Sequence, residues 1–298
     1  MKQQSKKISD GKVFDIGVLI ISAVISVLIL YPLIFIVSAS FSSPEKVMSG
    51  EMWLFPVDFT LDAYSEVFKD GDIWNGYKNT IFYTIGGTFI NIILTTLAAY
   101  PLSRRDLPGR NIIMFIITFT MFFSGGMIPT FLVVQGLGMV DTFWAMIIPN
   151  AIATYNLIVM RTYFQTSIPW ELQEAAMIDG CSNWKMLWKV ILPLSKPIIA
   201  VMLLFYAVGH WNAFFNALIY LRDDKLYPLQ LILREILLVS QANMTDEISS
   251  EIGLDEKMML GESIKYALII IASLPVLVIY PFVQKHFVKG VMIGSIKG

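Results

Sequence analysis

Six long apolar stretches constrain this 298-residue chain more than any other feature of its sequence. A helix needs about 20 mostly apolar residues to cross the hydrocarbon core of a membrane, which is about 30 Å thick. The stretches that meet this length are Gly17–Ser40, Thr80–Leu102, Ile112–Val134, Thr142–Val159, Ile198–Tyr220 and Tyr266–Val283. We therefore predict an all-α, polytopic membrane protein whose six transmembrane helices form a single domain over residues 1–298.

The composition agrees with a membrane protein and excludes several other classes. Hydrophobic residues make up 56% of the chain and charged residues 15%, whereas soluble domains average about 45–50% and about 25%. A net charge of −1 leaves no basic excess for binding nucleic acid. The single cysteine, Cys181, excludes disulfide frameworks and multi-cysteine zinc sites. With only His210 and His286 besides, we predict no metal site.

The first apolar stretch has an alternative interpretation as a cleaved signal peptide. Four lysines precede it, and Val37-Ser38-Ala39 resembles a small-residue cleavage site. However, its apolar run exceeds the roughly 7–15 residues of a signal-peptide core, and five further stretches follow it. The sequence favours a retained signal-anchor.

The charges orient the predicted spans. If the N-terminus is inside, the inside segments hold 14 of the 22 basic and 6 of the 23 acidic residues, a net charge of +8, which leaves −9 outside. The short loop Ser103–Asn111 carries three arginines. Because short cytoplasmic loops are enriched in Lys and Arg, we predict that both termini lie in the cytoplasm. Longer loops then lie outside at 41–79 and 221–265, and inside at 161–197.

The chain shows no motif for binding ATP. A phosphate-binding loop needs G-x-x-x-x-G-K-[ST], whose glycines expose backbone N–H groups to phosphate. Gly11-Lys12 lacks both that glycine spacing and the hydroxyl residue that should follow. We therefore expect no cofactor in this chain.

An intramembrane hydrolase is one alternative function. It would need a buried nucleophile and a base, and the best candidates are Ser124, in Ser124-Gly125-Gly126, and His210. The structural interpretation is that Ser124 and its glycines permit a break or tight packing in the third span, while His210 is satisfied by hydrogen bonds inside the bundle. The structural interpretation is favoured.

Polar residues within the spans are costly when they face lipid. They are Asn91, Asn150, Asn156, His210, Asn212 and Asn216. Each could line a substrate pathway or bond between helices at about 0.6 kcal/mol. Asn212 and Asn216 are spaced to share one helical face, and Trp211 beside them could stack on a sugar ring. Our pathway candidates are Asn91, Asn156, Trp211, Asn212 and Asn216.

The inside loop 161–197 has the densest amphipathic pattern. Pro169 precedes a predicted short helix over 171–179, and Gly180 is placed as its C-terminal stop. A second amphipathic helix is predicted over Asn183–Leu192, with Pro193 and Pro197 marking re-entry to the membrane. The short helix over 171–179 could dock into a groove of a partner protein or lie on the lipid surface.

At this loop the sequence resembles a known family. Glu174-Ala175-Ala176, Asp179-Gly180 and Ile191-Leu192-Pro193 resemble the EAA loop of ABC importer permeases, with Cys181 where a small residue is common. Further stretches are similar to the MalG-like and LplC-like carbohydrate-uptake branch, namely Asn79–Ile81, Ala98–Ser103, Ile128-Pro129, Trp211-Asn212, Tyr227–Gln230 and the tail Gln284–Gly298. The resemblance covers nearly the whole chain.

The resemblance implies the type I ABC importer fold, a place in the plasma membrane of a bacterial cell, a non-catalytic role and a set of partners. These would be a second permease subunit, two ATP-binding cassette subunits that bind ATP and Mg, an extracytoplasmic solute-binding protein and an oligosaccharide. The residues that would couple to the ATPase are Glu174, Ala175, Ala176, Asp179, Gly180, Leu192 and Pro193. The 221–265 loop would reach the binding protein. An importer of another solute class and a channel without an ATPase stay open as alternatives.

Overall fold

The computed structural model describes residues 2–245, 261, 263–279 and 281, in which every regular element is a helix. The helices are α1 (Lys2–Ser40), α2 (Pro44–Met48), α3 (Asp62–Lys69), α4 (Gly71–Ser103), α5 (Arg110–Phe122), α6 (Met127–Gly136), α7 (Phe143–Ile147), α8 (Thr154–Ser167), α9 (Trp170–Ile178), α10 (Asn183–Met186), α11 (Leu192–Leu194), α12 (Lys196–Trp211), α13 (Phe215–Tyr220), α14 (Leu229–Thr245) and α15 (Ser263–Ile279). A π-helical turn, Leu187–Ile191, joins α10 to α11.

Two helices are long and apolar enough to cross a membrane unbroken, namely Phe14–Ser40 of α1 and the whole of α4. Three bent pairs meet the same criterion together, so the described residues hold up to five such segments. The shorter apolar helix α15 occupies the position of the sixth predicted stretch. This arrangement is compatible with six spans.

The third and fourth predicted spans are broken helices. The sequence allowed for a break at Ser124 in the third span, but the break in the fourth was not expected. α5 and α6 meet at 113°, and the segment Phe143–Asn150 meets α8 at 54°. The first break contains Ser124-Gly125-Gly126, where Gly126 has φ 88°. A positive φ ends a right-handed helix and is readily adopted only by glycine. The apolar stretch therefore predicted how many residues the third span contains, but not that the helix changes direction within it.

The fifth predicted span, Ile198–Tyr220, is also not one helix. α12 ends at Trp211, residues 212–214 are non-helical, and α13 begins at Phe215. Asn212 caps α12 and Asn216 lies in α13. The prediction that Asn212 and Asn216 share one helical face is therefore wrong, because the i,i+4 relation requires an unbroken helix between them.

The chain divides into two compact units, Met1–Asp70 with Glu235–Ser273, and Gly71–Arg234 with Leu274–Gly298. In the first unit, the segment after α1 folds back onto the end of that helix. Ser38 Oγ donates to Leu54 O at 2.7 Å, and the hydroxyls of Ser40 and Tyr64 lie 2.9 Å apart.

The core of the second unit lies where α4, α8 and α12 pack together. Met160 and Met202 are fully buried there. The Tyr206 hydroxyl lies 2.6 Å from Thr95 Oγ1 and accepts the backbone N–H of Ala153 at 3.2 Å. One hydroxyl therefore ties three helices together and satisfies a backbone donor at the start of α8.

A second polar cluster crosses the same core. Asn91 is fully buried and donates through Nδ2 to the carbonyls of Asn150 and Ala151, at 3.1 and 2.7 Å. Its Oδ1 lies 2.6 Å from His210 Nε2. The carbonyls freed by the break before α8 are thus satisfied by a side chain of α4, as unpaired backbone in a membrane must be.

Parts of three sequence predictions lie outside the described residues. They are residues 280, 282 and 283 of the sixth stretch, most of the external loop after residue 245, and the family-like tail Gln284–Gly298.

The contact between α4 and His210 gives a stability prediction. A Cβ at Gly87 would overlap the His210 ring, 2.8 Å from its Cδ2 and nearer still to its Nε2 and Cε1. Overpacking of this kind costs about 1–3 kcal/mol. We expect Gly87→Ala to lower the thermal unfolding midpoint of the purified protein.

Gly209→Ala is the matched control, because a Cβ there has open space around it. Alanine in place of a helical glycine favours the helix by up to about 1 kcal/mol. An unchanged midpoint for Gly87→Ala would contradict the close approach of α4 to His210.

Candidate functional site

The predicted coupling helix is present as α9, from Trp170 to Ile178. Glu171 lies in its first turn, where a carboxylate favours the helix dipole. At the other end, the N–H of Gly180 donates to Met177 O at 3.0 Å and that of Cys181 to Ala176 O at 2.9 Å. With Gly180 at φ 70°, this pair of hydrogen bonds is a Schellman motif. The positive φ explains why the family-like motif has a glycine at this position.

One face of α9 is uncovered. Ile178 is 87% exposed and Leu172 40%, whereas Met177 lies on the opposite side of the helix and contacts Arg104. Ala175 and Asp179 are exposed as well. Exposed apolar residues grouped on a short helix are typical of a protein interface.

The other predicted coupling residues lie on or beside α9. Glu174 accepts a hydrogen bond from Trp170 Nε1 at 2.6 Å, one turn away. Ala176 is partly buried and packs on the apolar core, as does Leu192. Pro193 is exposed within α11. The second amphipathic helix runs as predicted, with Leu187 and Ile191 buried, and it extends through a π-helical turn to Leu194.

Arg104, which the sequence marked only as a basic loop residue, connects α4 to the α9 region. Its side chain is buried, at 6% exposure. It forms a bidentate pair with Asp106, with Nε–Oδ1 at 2.8 Å and Nη2–Oδ2 at 2.6 Å. Nη1 donates to the Tyr100 hydroxyl at 3.1 Å and to Asn183 Oδ1 at 2.9 Å. The guanidinium holds down the pKa of the Asp106 carboxyl, chiefly by these hydrogen bonds.

Three further side chains satisfy the carbonyls at the end of α4. Arg161 Nε donates to Leu102 O at 2.9 Å, and Gln165 Nε2 to Ser103 O at 3.3 Å. Arg110 Nη1 donates to Arg104 O, just beyond the helix end, at 3.0 Å. Cations at a helix C-terminus are favoured by its dipole. The arginines predicted to orient the chain thus also cap its central helix.

At the opposite end of α4, polar side chains hold the segment that precedes α14. Asn79 Nδ2 donates to the carbonyls of Lys225 and Tyr227, at 2.7 and 3.0 Å. The Leu229 N–H donates to Thr80 Oγ1 at 2.8 Å, and Gly76 leaves room for the Leu229 backbone. The Asn79–Ile81 and Tyr227–Gln230 stretches that carry the family resemblance therefore contact each other.

The same segment is held from a second side by Asp141. Its Oδ1 accepts the backbone N–H groups of Arg222 and Asp223 at 2.9 and 3.0 Å. These two donors lower the pKa of the Asp141 carboxyl. Its own N–H donates to Tyr220 O at 2.8 Å, so a single residue fixes the chain as it leaves α13.

The predicted pathway residues do not form one group. Asn91 is committed to the His210 cluster, and Asn156 is buried in α8 at 6% exposure. Trp211 is 8% exposed, with its ring edge-on to Tyr77 at 6.2 Å. Asn212 is exposed and donates to Val208 O of its own helix at 2.9 Å.

A cavity that the sequence did not predict lies beside the first half of α4. Its volume is about 590 Å³, and it is lined by Phe82, Tyr83, Phe143 and Leu226, with Lys78 and Asn79. The surface that lines it is almost entirely apolar, and its aromatic faces are suited to stacking on a carbohydrate ring. Asn216, which is partly exposed in α13, does not line it.

The residues proposed for a hydrolase are not arranged for catalysis. Ser124 is exposed in the break between α5 and α6. The hydrogen-bond partner of His210 is Asn91. A nucleophile needs its base within about 3.2 Å.

The anchoring by Asn79 can be tested by hydrogen exchange. Asn79→Ala removes the donors to two carbonyls, each bond contributing about 1 kcal/mol. We expect faster exchange of the amides over 225–231. Lys225→Ala is the control, because it keeps the carbonyl that Asn79 binds and changes only an exposed side chain. Equal exchange in both variants would contradict the role of Asn79.

The hydrogen bonds of Arg104 predict that its substitution with lysine lowers the stability of the protein. Arg104→Lys keeps the charge but cannot form the bidentate pair with Asp106. We expect a loss of about 1.5–3 kcal/mol of stability, the value of a charge-assisted hydrogen bond, and faster amide exchange over 170–194.

Arg222→Lys, at an exposed arginine, should stay within about 0.5 kcal/mol of the parent. If both variants unfold at the parent temperature, Arg104 does not hold the α9 region.

The chain is similar along nearly all its length to curated relatives. It is 43% identical to protein LplC of Bacillus subtilis (strain 168) over 288 residues, which covers 97% of this chain and 96% of LplC. It is 46% identical to the polygalacturonan/rhamnogalacturonan transport system permease protein YtcP of the same organism, over 97% and 99% of the two chains.

A solved structure and a family model agree with these relatives. A chain of a bacterial ABC transporter involved in the import of the acidic polysaccharide alginate matches with a TM-score of 0.83 and 36% identity, over 93% of this chain and 97% of that one. The match confirms the predicted fold. Residues 91–293 match the family described as "Binding-protein-dependent transport system inner membrane component". The chain belongs to this family, the permeases of ABC importers.

Proposed function

We propose that this chain is a permease subunit of an ATP-driven importer of oligosaccharides, acting as one domain over residues 1–298. Its partners would be a second permease subunit, two ATP-binding cassette subunits and an extracytoplasmic solute-binding protein. The names of YtcP and of the alginate importer support oligosaccharides derived from acidic polysaccharides as the first class to test. Both termini would lie in the cytoplasm.

The observation that carries the proposal is the uncovered face of α9. An exposed isoleucine and leucine stand beside exposed small and acidic residues on a helix stopped by Gly180. A short amphipathic helix of this kind can occupy a hydrophobic groove of a partner. The partner that fits the family is the ATPase subunit, which would supply ATP and Mg.

The contacts of α9 suggest how docking would change access across the membrane. Movement of the ATPase subunits would move α9 as a rigid piece, because its C-terminus is closed by the Schellman motif. Met177 Sδ lies 3.6 Å from Arg104 Nη2, and Arg104 also binds Asn183. Displacement of α9 would therefore reach the end of α4, and through α4 the external segment at Asn79. Two arrangements of this unit would correspond to inward-open and outward-open states.

Two surfaces support a carbohydrate pathway. One is the aromatic cavity beside α4, whose apolar lining could stack on a sugar ring. The other is the break after Trp211, where Asn212 and the rings of Phe214 and Phe215 are exposed. Asn91 is the weakest of the original candidates, since both ends of its amide are already bonded.

Charge on the exposed face of α9 tests the docking proposal. Ile178→Glu would bury an unpaired carboxylate in the interface with the ATPase, a cost of several kcal/mol. We expect the affinity for the ATPase subunits to fall by about tenfold or more, with transport lost in proteoliposomes. Gly180→Arg, which also strains the positive φ, should uncouple ATP hydrolysis from transport.

Thr166→Glu, at an exposed position on α8, is the control and should retain both assembly and transport. Full assembly and transport of Ile178→Glu would rule out α9 as the docking helix. Uptake of oligogalacturonates by the intact complex tests the substrate class separately, and binding-protein-dependent uptake of a neutral oligosaccharide alone would overturn it.

A further inference from the structure

A polar cavity of about 230 Å³ lies behind α9, on the side away from its uncovered face. It is formed where the end of α4, the start of α5, α8 and α9 meet. Its polar and aromatic lining comes from Ser103, Arg105, Arg110, Gln165, Trp170 and Gln173. None of the coupling or pathway functions proposed above uses this cavity.

Gln173 marks the cavity as a binding site. Its side chain is 4% exposed, and Oε1 has no hydrogen-bond partner among the described residues. A buried acceptor without a partner costs about 1–3 kcal/mol. Because Gln173 lines the cavity, a ligand with a hydroxyl or amine donor would relieve this cost.

Two arginines line the same cavity. Arg105 lies over the Trp170 ring at 5.8 Å, and Arg110 bonds only a carbonyl, that of Arg104. In the described part of the chain neither side chain forms a salt bridge, whereas Arg104 is neutralised by Asp106. The cavity therefore fits an anion that presents several oxygen acceptors and one donor.

The surroundings favour a lipid as the source of that anion. Arg110 is the first residue of α5, and the residues that follow it along this helix are apolar and exposed, such as Ile112 at 67% and Phe115 at 70%. Basic pockets between helices at the cytoplasmic membrane surface bind anionic lipid headgroups, and a tryptophan is typical of that level. An acyl chain could follow α5 while the phosphate enters the cavity.

We propose that this cavity binds the phosphate of an anionic phospholipid headgroup. Arg105 and Arg110 contact the phosphate oxygens, and a headgroup hydroxyl donates to Gln173 Oε1. Because Gln173 belongs to α9, the lipid fixes the position of α9 against α4 and α8. The proposal does not depend on which solute the importer carries.

Lipid binding to the purified, delipidated complex tests this assignment. The probe is short-chain phosphatidylglycerol, with short-chain phosphatidylcholine and inorganic phosphate at equal concentration as comparators. We expect phosphatidylglycerol to bind more tightly than either. Arg105→Gln should weaken its binding by about tenfold, the value of one charge-assisted hydrogen bond, and Gln173→Leu should weaken it severalfold.

Two controls keep the result interpretable. Arg222→Gln removes an exposed arginine elsewhere and should leave lipid binding unchanged. The unfolding midpoint without lipid should match the parent for Gln173→Leu, since no hydrogen bond to Oε1 is lost. Equal lipid affinity of Arg105→Gln and the parent would overturn the proposal. So would equally tight binding of phosphatidylcholine or inorganic phosphate.

Discussion

The guanidinium of Arg104 is buried at the end of α4, and a buried charge must be neutralised and hydrogen-bonded to be tolerated. Asp106, Tyr100 and Asn183 meet that requirement. These partners come from the end of α4, the loop that follows it and the start of α10. The position of α9 depends on this cluster, because α9 lies between the elements that Arg104 joins and contacts it through Met177.

α4 connects the Arg104 cluster at one of its ends to the contacts made near its other end. Its 33 residues correspond to about 50 Å of helix. At one end, Tyr100 contacts Arg104, and Arg161 and Gln165 bind the last carbonyls of the helix. Towards the other end, Asn79 and Thr80 bind the segment before α14. Its middle is fixed by the Asn91–His210 cluster. A rigid helix held at three levels is a physical route by which a change at α9 could reach the external segment.

Apart from the fold class, which the family resemblance carried, the sequence could predict only local structure. Pro169, Glu171 and Gly180 are signals of a helix start and stop within a dozen residues, and α9 lies within one residue of its predicted bounds. The breaks near Ser124 and after Trp211 were not predicted as changes of direction, because hydrophobicity reports length and burial but not backbone geometry. The role of Arg104 was missed because its partner Asn183 is 79 residues away.

The central claim is that the exposed face of α9 lies in the cytoplasm and is covered by the ATPase. Cys181 is the only cysteine, so Ile178→Cys in a Cys181→Ala background gives a single reactive thiol. Its labelling by a membrane-impermeant maleimide should be measured in right-side-out and inside-out vesicles, with and without the ATPase subunits. The account predicts labelling only in inside-out vesicles and protection once the ATPase is assembled. Labelling from the outside, or equal labelling with and without the ATPase, would contradict it.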